Sequence, residues 1–420
     1  MTVAPPVSDT AAGLLKGFPG SGAPADARGL GVFTGLPSPV MVLKHDALEH
    51  NIAEMARYCA DAGVLLAPHA KTPMSPEIIT RQLAAGAWGV TAATGSHVRA
   101  YRTFGVERVL MANELVDPVA IAWIAGDLAA HPDVRFLCYV DSVDGVRLLT
   151  RQLADTPPQV RFDVLVELGP SPGRTGCRSV AEALAVARAA AAGDRLRVAG
   201  VSGYEGGIGH DRTPSTLAAV AAFCDLLGEA AIAIDSERLF DAGTEFVVLS
   251  AGGSVYYDVV VQQLAGLELP QRPARVVLRS GSYVSHDHGM YARISPFSHP
   301  GSKWSFEPAL EIWGRVLSRP ERGIAFADFG RRDVPFDQGL PIPLTVRDAA
   351  GGNPRDAAGV TVTGLNDQHA FLSLPEQDPL SPGDWLGCGI SHPCTAFDKW
   401  RAMPLVDRTY QVVDDITTYF

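Results

Sequence analysis

From Val40 to about Gly281, short apolar runs alternate with amphipathic or Ala-rich stretches. The runs Val64–Ala67, Gly89–Ala93, Arg108–Met111, Arg135–Val140, Phe162–Val166, Val198–Gly203, Phe246–Leu249 and Arg275–Leu278 have the length and residue types of buried strands. Between them, Asp46–Asp61, Ser96–Phe104, Asp117–His131, Ser179–Ala192 and Ser215–Leu227 read as helices. Strict alternation predicts a parallel sheet, and about eight repeats of the unit predict a closed (β/α)8 barrel over an open sheet. After Gly281 the period shortens toward two, and Pro, Gly and aromatic residues become frequent. Glu311–Leu317, Pro343–Thr345, Gly359–Thr363, Ala370–Ser373, Leu405–Arg408 and Tyr410–Val413 read as short strands of a second, β-rich domain. The predicted class is therefore α/β: an arm over residues 1–29, a barrel over 30–281 whose first residues are free to join the other domain, and a β-rich domain over 282–420. The arm is expected to be loosely ordered or laid across a dimer partner.

At 420 residues, two domains are the default expectation. The formal net charge of −11, with no dense Lys/Arg tract, argues against nucleic acid or an anionic membrane as the main partner. Six cysteines (Cys59, Cys138, Cys177, Cys224, Cys388, Cys394) are scattered without a repeated spacing, which points to a reducing compartment. No secretory pattern and no membrane-length apolar run is read from the sequence, so a cytoplasmic location is expected.

The chemistry gathers after the strands, where a barrel puts its site. Lys71 follows the run Leu65-Leu66-Ala67-Pro68-His69-Ala70 and is followed by Pro73 and Pro76. Desolvation lowers a lysine's pKa, and a neutral amine there can form a Schiff base with an aldehyde cofactor such as pyridoxal phosphate. Gly252-Gly253-Ser254 follows a late strand, and such a turn can cradle a phosphate with backbone N–H groups and a hydroxyl. Arg174, between glycines in Gly173-Arg174-Thr175-Gly176, could pair with a phenolate or carboxylate. His392 and Cys394 lie two residues apart. In an extended segment they point to one side and can reach one metal ion, with Zn²⁺ suited to thiolate plus imidazole. Two protein ligands leave positions open for water or substrate. His369, in Asn366-Asp367-Gln368-His369, is a candidate neighbour as ligand or proton carrier.

In order along the chain these motifs, with Val140-Asp141-Ser142, Gly203-Tyr204-Glu205-Gly206, Leu278-Arg279-Ser280-Gly281-Ser282-Tyr283 and Ala327-Asp328-Phe329-Gly330-Arg331, resemble the D-threonine aldolase and D-serine dehydratase family of fold-type III pyridoxal phosphate enzymes. The resemblance runs from about Pro37 to Asp414. It implies an alanine-racemase-like barrel with a β-domain, a homodimer with the site near the subunit interface, and pyridoxal phosphate on Lys71. It further implies that Arg174 lies beside the cofactor or the substrate carboxylate, that Tyr204 lines the pocket, and that the Gly252–Ser254 turn holds the phosphate. His69 and Tyr283 fall within motifs expected to surround the cofactor. His392 and Cys394 match the divalent metal ligands, with Zn²⁺, Mn²⁺ or Co²⁺ as the ion. The chain departs from the family in two places. Cys394 stands where the aldolase branch usually has a carboxylate, as in the zinc-bearing dehydratase branch. Gly207-Ile208-Gly209 also separates the Tyr204 turn from His210, the candidate for a catalytic histidine there.

The expected reaction is dehydration of a D-configured β-hydroxy amino acid such as D-serine, D-threonine or D-threo-3-hydroxyaspartate to a 2-oxo acid and ammonia. Lys71 would remove the α-proton, and the metal would bind the β-hydroxyl as a Lewis acid. Retro-aldol cleavage to glycine and an aldehyde, with His210 or His369 as base, is the alternative. An amino acid racemase and a non-catalytic pyridoxal phosphate carrier are further readings, and the His-x-Cys pair counts against both.

Overall fold

The computed structural model describes residues 15–19 and 27–420, so residues 1–14 and 20–26 of the expected arm lie outside the described residues. The stretch 15–19 packs on its own chain: Phe18 is buried, and Lys16 Nζ lies 3.8 Å from the centroid of the Trp400 ring.

The first strand, β1 (Val40–Lys44), does not enter the barrel. The barrel is built from β2 (Leu65–Leu66), β3 (Val90–Ala92), β4 (Arg108–Glu114), β5 (Arg135–Val140), β6 (Phe162–Leu168), β7 (Leu196–Gly203), β8 (Val247–Ala251) and β9 (Ala274–Leu278). These eight strands are parallel in the order β2-β9-β8-β7-β6-β5-β4-β3. The ring closes where the chain beyond β2 meets β3: His69 bridges Thr91, Ala70 N donates to Thr91 O at 3.0 Å, and Thr91 N donates to Pro68 O at 2.9 Å. Leu110, Leu137, Tyr139, Leu165, Ala199, Val248 and Val277 fill the interior, while Val109, Cys138, Val164, Val201, Leu249 and Val276 face the helices. Strands buried on both faces read as continuous apolar runs, which is why they stand out in the sequence.

Helices begin where a small polar residue follows a strand. The side chains of Thr94, Asp117, Ser142, Ser179 and Thr213 each accept a hydrogen bond from a first-turn N–H. Between the barrel strands, Pro76–Ala84, Val143–Leu153 and Tyr257–Leu264 are helices additional to those predicted. The expected Ser215–Leu227 helix runs from Pro214 to Ser236. Contrary to the expectation of no membrane-length apolar run, this helix is long and apolar enough to cross a membrane by length and composition. In the fold it buries Val220, Phe223, Leu227 and Ile234 in the barrel core.

The second sheet comprises β10 (Leu310–Glu321), β11 (Ile324–Ala327), β12 (Ile342–Arg347), β13 (Arg355–Asp356), β14 (Thr361–Leu365), β15 (Ala370–Ser373), β16 (Trp385–Gly389), β17 (Ala402–Val406) and β18 (Val412–Thr417), together with β1. Its main path is β13-β12-β16-β10-β1-β17-β18, with β11, β15 and β14 branching from β10. β1 pairs antiparallel with β10 (Leu43 opposite Leu310) and parallel with β17. β16 escapes the sequence pattern because two of its five residues are glycine. One of them, Gly387, lets the Trp313 ring pack so closely that a Cβ would sit 2.6 Å from it. The chain leaving β16 carries Ser391–Thr395 over the barrel mouth.

Two glycines separate packing from propensity. A Cβ on Gly200 in β7 would lie 2.0 Å from Val248 O on the adjacent strand, whereas one on Gly126, in the exposed part of the Pro118–Ala130 helix, meets nothing within 4 Å. Gly200→Ala is expected to lower the thermal midpoint sharply. Gly126→Ala is expected to add roughly 0.5–1 kcal/mol of stability, and thermal and urea unfolding of the two variants check both signs.

Candidate active site

A cavity of about 530 Å³ opens at the C-terminal ends of the barrel strands, under the Ser391–Thr395 segment. It collects most of the predicted residues. His69 and Lys71 follow β2, Arg174 sits in the loop after β6, Tyr204 follows β7, Gly253 and Ser254 follow β8, and His392 and Cys394 close the cavity from the second sheet. The Arg174 guanidinium carbon lies 4.5 Å from the centroid of the Tyr204 ring, a cation–π contact that orients both side chains. Arg178 donates to the carbonyls of Gly173, Arg174, Thr175 and Gly176, which curls this loop around one guanidinium.

Five expectations need correction. His210 is exposed in the loop beyond the Tyr204 turn, outside the cavity wall. His369 is exposed in the β14–β15 turn, because its neighbours serve as backbone anchors for another loop rather than presenting the imidazole. Tyr283 is buried behind the wall, where its hydroxyl accepts from Gln82 Nε2 at 2.9 Å. The N–H groups of Gly252 and Gly253 both point at the Glu205 carboxylate, at 3.2 and 2.5 Å. Glu205 thus organises this turn from within, and the groups left facing the cavity there are Ser254 and, from the next strand end, Gly281 and Ser282. The His392–Cys394 segment is also not extended: Pro393–Thr395 makes one 3₁₀ turn that still brings both side chains to the cavity.

The cavity holds groups that the sequence reading left out of the cofactor set. Arg279 is buried, with hydrogen bonds to Ser250 Oγ at 2.7 Å and Gly203 O at 2.7 Å. It forms a fixed cation in the wall, and its place after the last barrel strand was the available signal. Burial, reinforced by the Lys71 and Arg279 cations, holds His69 well below its ordinary pKa, so the ring is neutral. Its buried Nδ1 has no protein partner. Gly281 approaches His69 so closely that a Cβ would lie 2.4 Å from the His69 carbonyl oxygen. An amine, a fixed guanidinium, two serine hydroxyls and an unpartnered imidazole nitrogen in one space fit a phosphorylated aldehyde cofactor.

The donor set at the opposite wall fits a divalent metal. His392 Nδ1 lies 2.6 Å from the Asp337 carboxylate, and Cys394 Sγ lies 3.3 Å from Ser282 Oγ and 3.4 Å from Thr72 Oγ1. Burial works to lower the His392 pKa, but Cys394 and Asp337 overcome it and push it up to about 9. Burial likewise works to raise the Cys394 thiol, yet His392, Ser282 and Thr72 bring it below its ordinary value. Among the described residues no third His, Cys or carboxylate lies within 4.8 Å of both members of the pair, so remaining coordination positions would face the cavity.

Carboxylate oxygens of Glu114, Asp141 and Glu167, at adjacent strand ends, lie within 4.8 Å of one another. Gly176 N donates to Asp141 at 3.1 Å, which ties the arginine loop to this acidic corner. Burial first, and Glu167 second, push Glu114 up to about 8, so it keeps its proton at neutral pH. The folded state therefore binds more protons than the unfolded chain between the ordinary value of 4.5 and about 8, and stability falls as pH rises across that window. Glu114→Gln is expected to flatten this decline, as read from urea midpoints at acid, neutral and alkaline pH.

Residues 43–239 match the family described as "Alanine racemase, N-terminal domain", and residues 309–406 match "Putative serine dehydratase domain". The chain is 28% identical over 347 residues to a D-threonine aldolase of Arthrobacter sp., covering 80% of each protein. It is 25% identical over 349 residues to a D-threo-3-hydroxyaspartate dehydratase of Delftia sp., covering 80% of this chain and 84% of that one. The solved structure of a D-threonine aldolase from Filomicrobium marinum superposes with a TM-score of 0.74 at 27% identity, covering 91% of this chain and 94% of the other. With a parallel barrel, a strand-end lysine and a metal-type pair over one cavity, this chain belongs to the D-threonine aldolase and D-serine dehydratase family of fold-type III, alanine-racemase-like pyridoxal phosphate enzymes.

Proposed function

We propose that this chain is a lyase of D-configured β-hydroxy amino acids that eliminates the β-hydroxyl, giving a 2-oxo acid and ammonia. The observation that carries this reading is the opening of the His392–Cys394 pair onto the same cavity as Lys71. Lys71 would hold pyridoxal phosphate by its amine, and Ser254, Ser282 and the fixed Arg279 cation, which line the same cavity, would hold its phosphate. When bound, the cofactor supplies an electron-withdrawing ring that accepts the charge left as a bond to Cα breaks. A divalent ion held by Cys394 and His392 supplies a Lewis acid at an oxygen leaving group.

The protein's own groups divide the remaining work. The Lys71 amine takes the α-proton, the hydroxyl at Cβ departs as water after gaining a proton, and the released enamine takes up one water, which breaks its C–N bond to give the 2-oxo acid and ammonia. Arg174, stacked on Tyr204, faces the cavity as a cation for a substrate carboxylate. Neutral His69 can orient a polar group without adding charge beside Lys71. Cys394 supports Zn²⁺ over harder ions, since thiolate is a soft donor.

Retro-aldol cleavage to glycine and an aldehyde is the second reading, favoured by the similarity to D-threonine aldolase and to a 3-hydroxy-D-aspartate aldolase of Paracoccus denitrificans. It needs a base at the β-hydroxyl. Neither His210 nor His369 lines the cavity, which supports dehydration over cleavage.

Purified, cofactor-loaded protein supplied with D-serine, D-threonine and D-threo-3-hydroxyaspartate is expected to release 2-oxo acid and ammonia only when Zn²⁺ is present. Glycine as the main product would overturn the reading. Lys71→Ala should lower turnover by about 10³-fold or more and abolish covalent retention of the cofactor on denaturing gels after borohydride reduction. Cys394→Asp should keep a metal site but move its preference from Zn²⁺ toward Mn²⁺ or Mg²⁺, as measured by titration of each metal alone.

A further inference from the structure

The loop between β11 and β12 reaches the outer side of the metal-type pair, and nothing in the sequence pattern marks its Asp337. Its Asp337 carboxylate accepts from His392 Nδ1 at 2.6 Å and from Thr395 Oγ1 at 2.8 Å. A carboxylate only accepts, so Nδ1 carries a hydrogen, and the proton a metal ion displaces is the one on Nε2, which then offers its lone pair. We infer that Asp337 is a positioning residue that fixes the tautomer and ring plane of His392, so that Nε2 and Cys394 Sγ meet one divalent cation. The inference rests on the metal role proposed for His392 and Cys394.

The fold secures that carboxylate from both ends of its loop. At the near end, Gly330 N donates to the buried Asp333 carboxylate at 2.8 Å, and Gln368 Nε2 donates to the same carboxylate at 3.1 Å. Arg331 N and Arg332 N donate to the carbonyls of Asn366 and Asp367 at 2.9 and 3.2 Å. The two backbones approach so closely that a Cβ on Gly330 would lie 2.3 Å from Asn366 O. Trp400 Nε1 donates to Asp333 O at 2.8 Å. At the far end, Ser391 Oγ donates to Leu340 O at 3.0 Å, which ties the loop to the residue next to His392. The Asn366-Asp367-Gln368 run therefore has a task that leaves His369 exposed: its carbonyls and amide hold the loop that carries Asp337.

The competing account is a plain surface ion pair, since the Asp337 side chain is 41% exposed. Such pairs add little to stability. Orienting a metal ligand is a different quantity, and losing the outer carboxylate of a ligating histidine typically weakens metal binding by about 10- to 100-fold.

The test is Zn²⁺ affinity, measured by chelator competition on the full-length, cofactor-loaded protein. Asp337→Ala is expected to weaken Zn²⁺ by about 10- to 100-fold, with circular dichroism and the cofactor's absorbance unchanged. Asp337→Asn keeps an acceptor oxygen beside Nδ1 and is expected to recover most of the loss. Thr395→Val should fall between the two. Wild-type affinity in Asp337→Ala, alongside loss of binding in His392→Ala, would overturn the inference and leave the metal reading intact. Unchanged Zn²⁺ binding in His392→Ala would overturn both.

Discussion

The pairing of β1 with β10 and β17 is the constraint on which the site depends. β1 runs directly into the His45–Ala62 helix, which packs on the barrel, yet its backbone hydrogen bonds belong to the second sheet. One short segment thus fixes how the sheet sits over the barrel mouth. Asn51, fully buried on that helix, adds a second tie: it donates to Val284 O at 3.2 Å and Glu307 O at 2.8 Å, and accepts from Glu307 N at 2.8 Å. Buried amides satisfied on both sides tolerate little displacement. The distance between Lys71 and the His392–Cys394 pair is therefore set by backbone geometry rather than by a flexible linker.

Charge is distributed around the cavity in a way that serves such a site. Lys71, Arg174 and Arg279 give the wall cations suited to phosphate and carboxylate groups. His69 stays neutral among them because burial and the neighbouring cations oppose its protonation. The acids are placed to the side, where Glu114 and Glu167 share a tight corner and Asp141 anchors the arginine loop. His392 and Cys394, in contrast, stabilise each other's charged forms, a state from which a divalent cation can displace the imidazole proton.

The barrel was legible because parallel strands buried on both faces must be apolar, and because the polar residues after them converge by geometry. Lys71, Arg174, Tyr204, Ser254, His392 and Cys394, which line one cavity, were picked out on that ground and on motif order. The failures have equally specific causes. Gly252 and Gly253 looked like a phosphate cradle, but Glu205, from the neighbouring strand end, claims their N–H groups. His369 sits in a recognisable motif whose other members hold a loop by backbone contacts, and a motif does not reveal which of its side chains faces a cavity. Asp337 reaches His392 across 55 positions of sequence from a loop without periodicity. β16 hid because glycines that make room for Trp313 also erase the strand's apolar alternation.

The threading of β1 also sets the order in which the molecule can be completed during synthesis. β1 leaves the ribosome early, but the strands on either side of it come from the last third of the chain. Until then its edges are open, and the barrel that follows it can close without it. Closing so long a loop is entropically slow. During synthesis β1 is therefore made long before either of its sheet partners. Exposed apolar surface and an unpaired strand edge make that stage the one most open to misassembly.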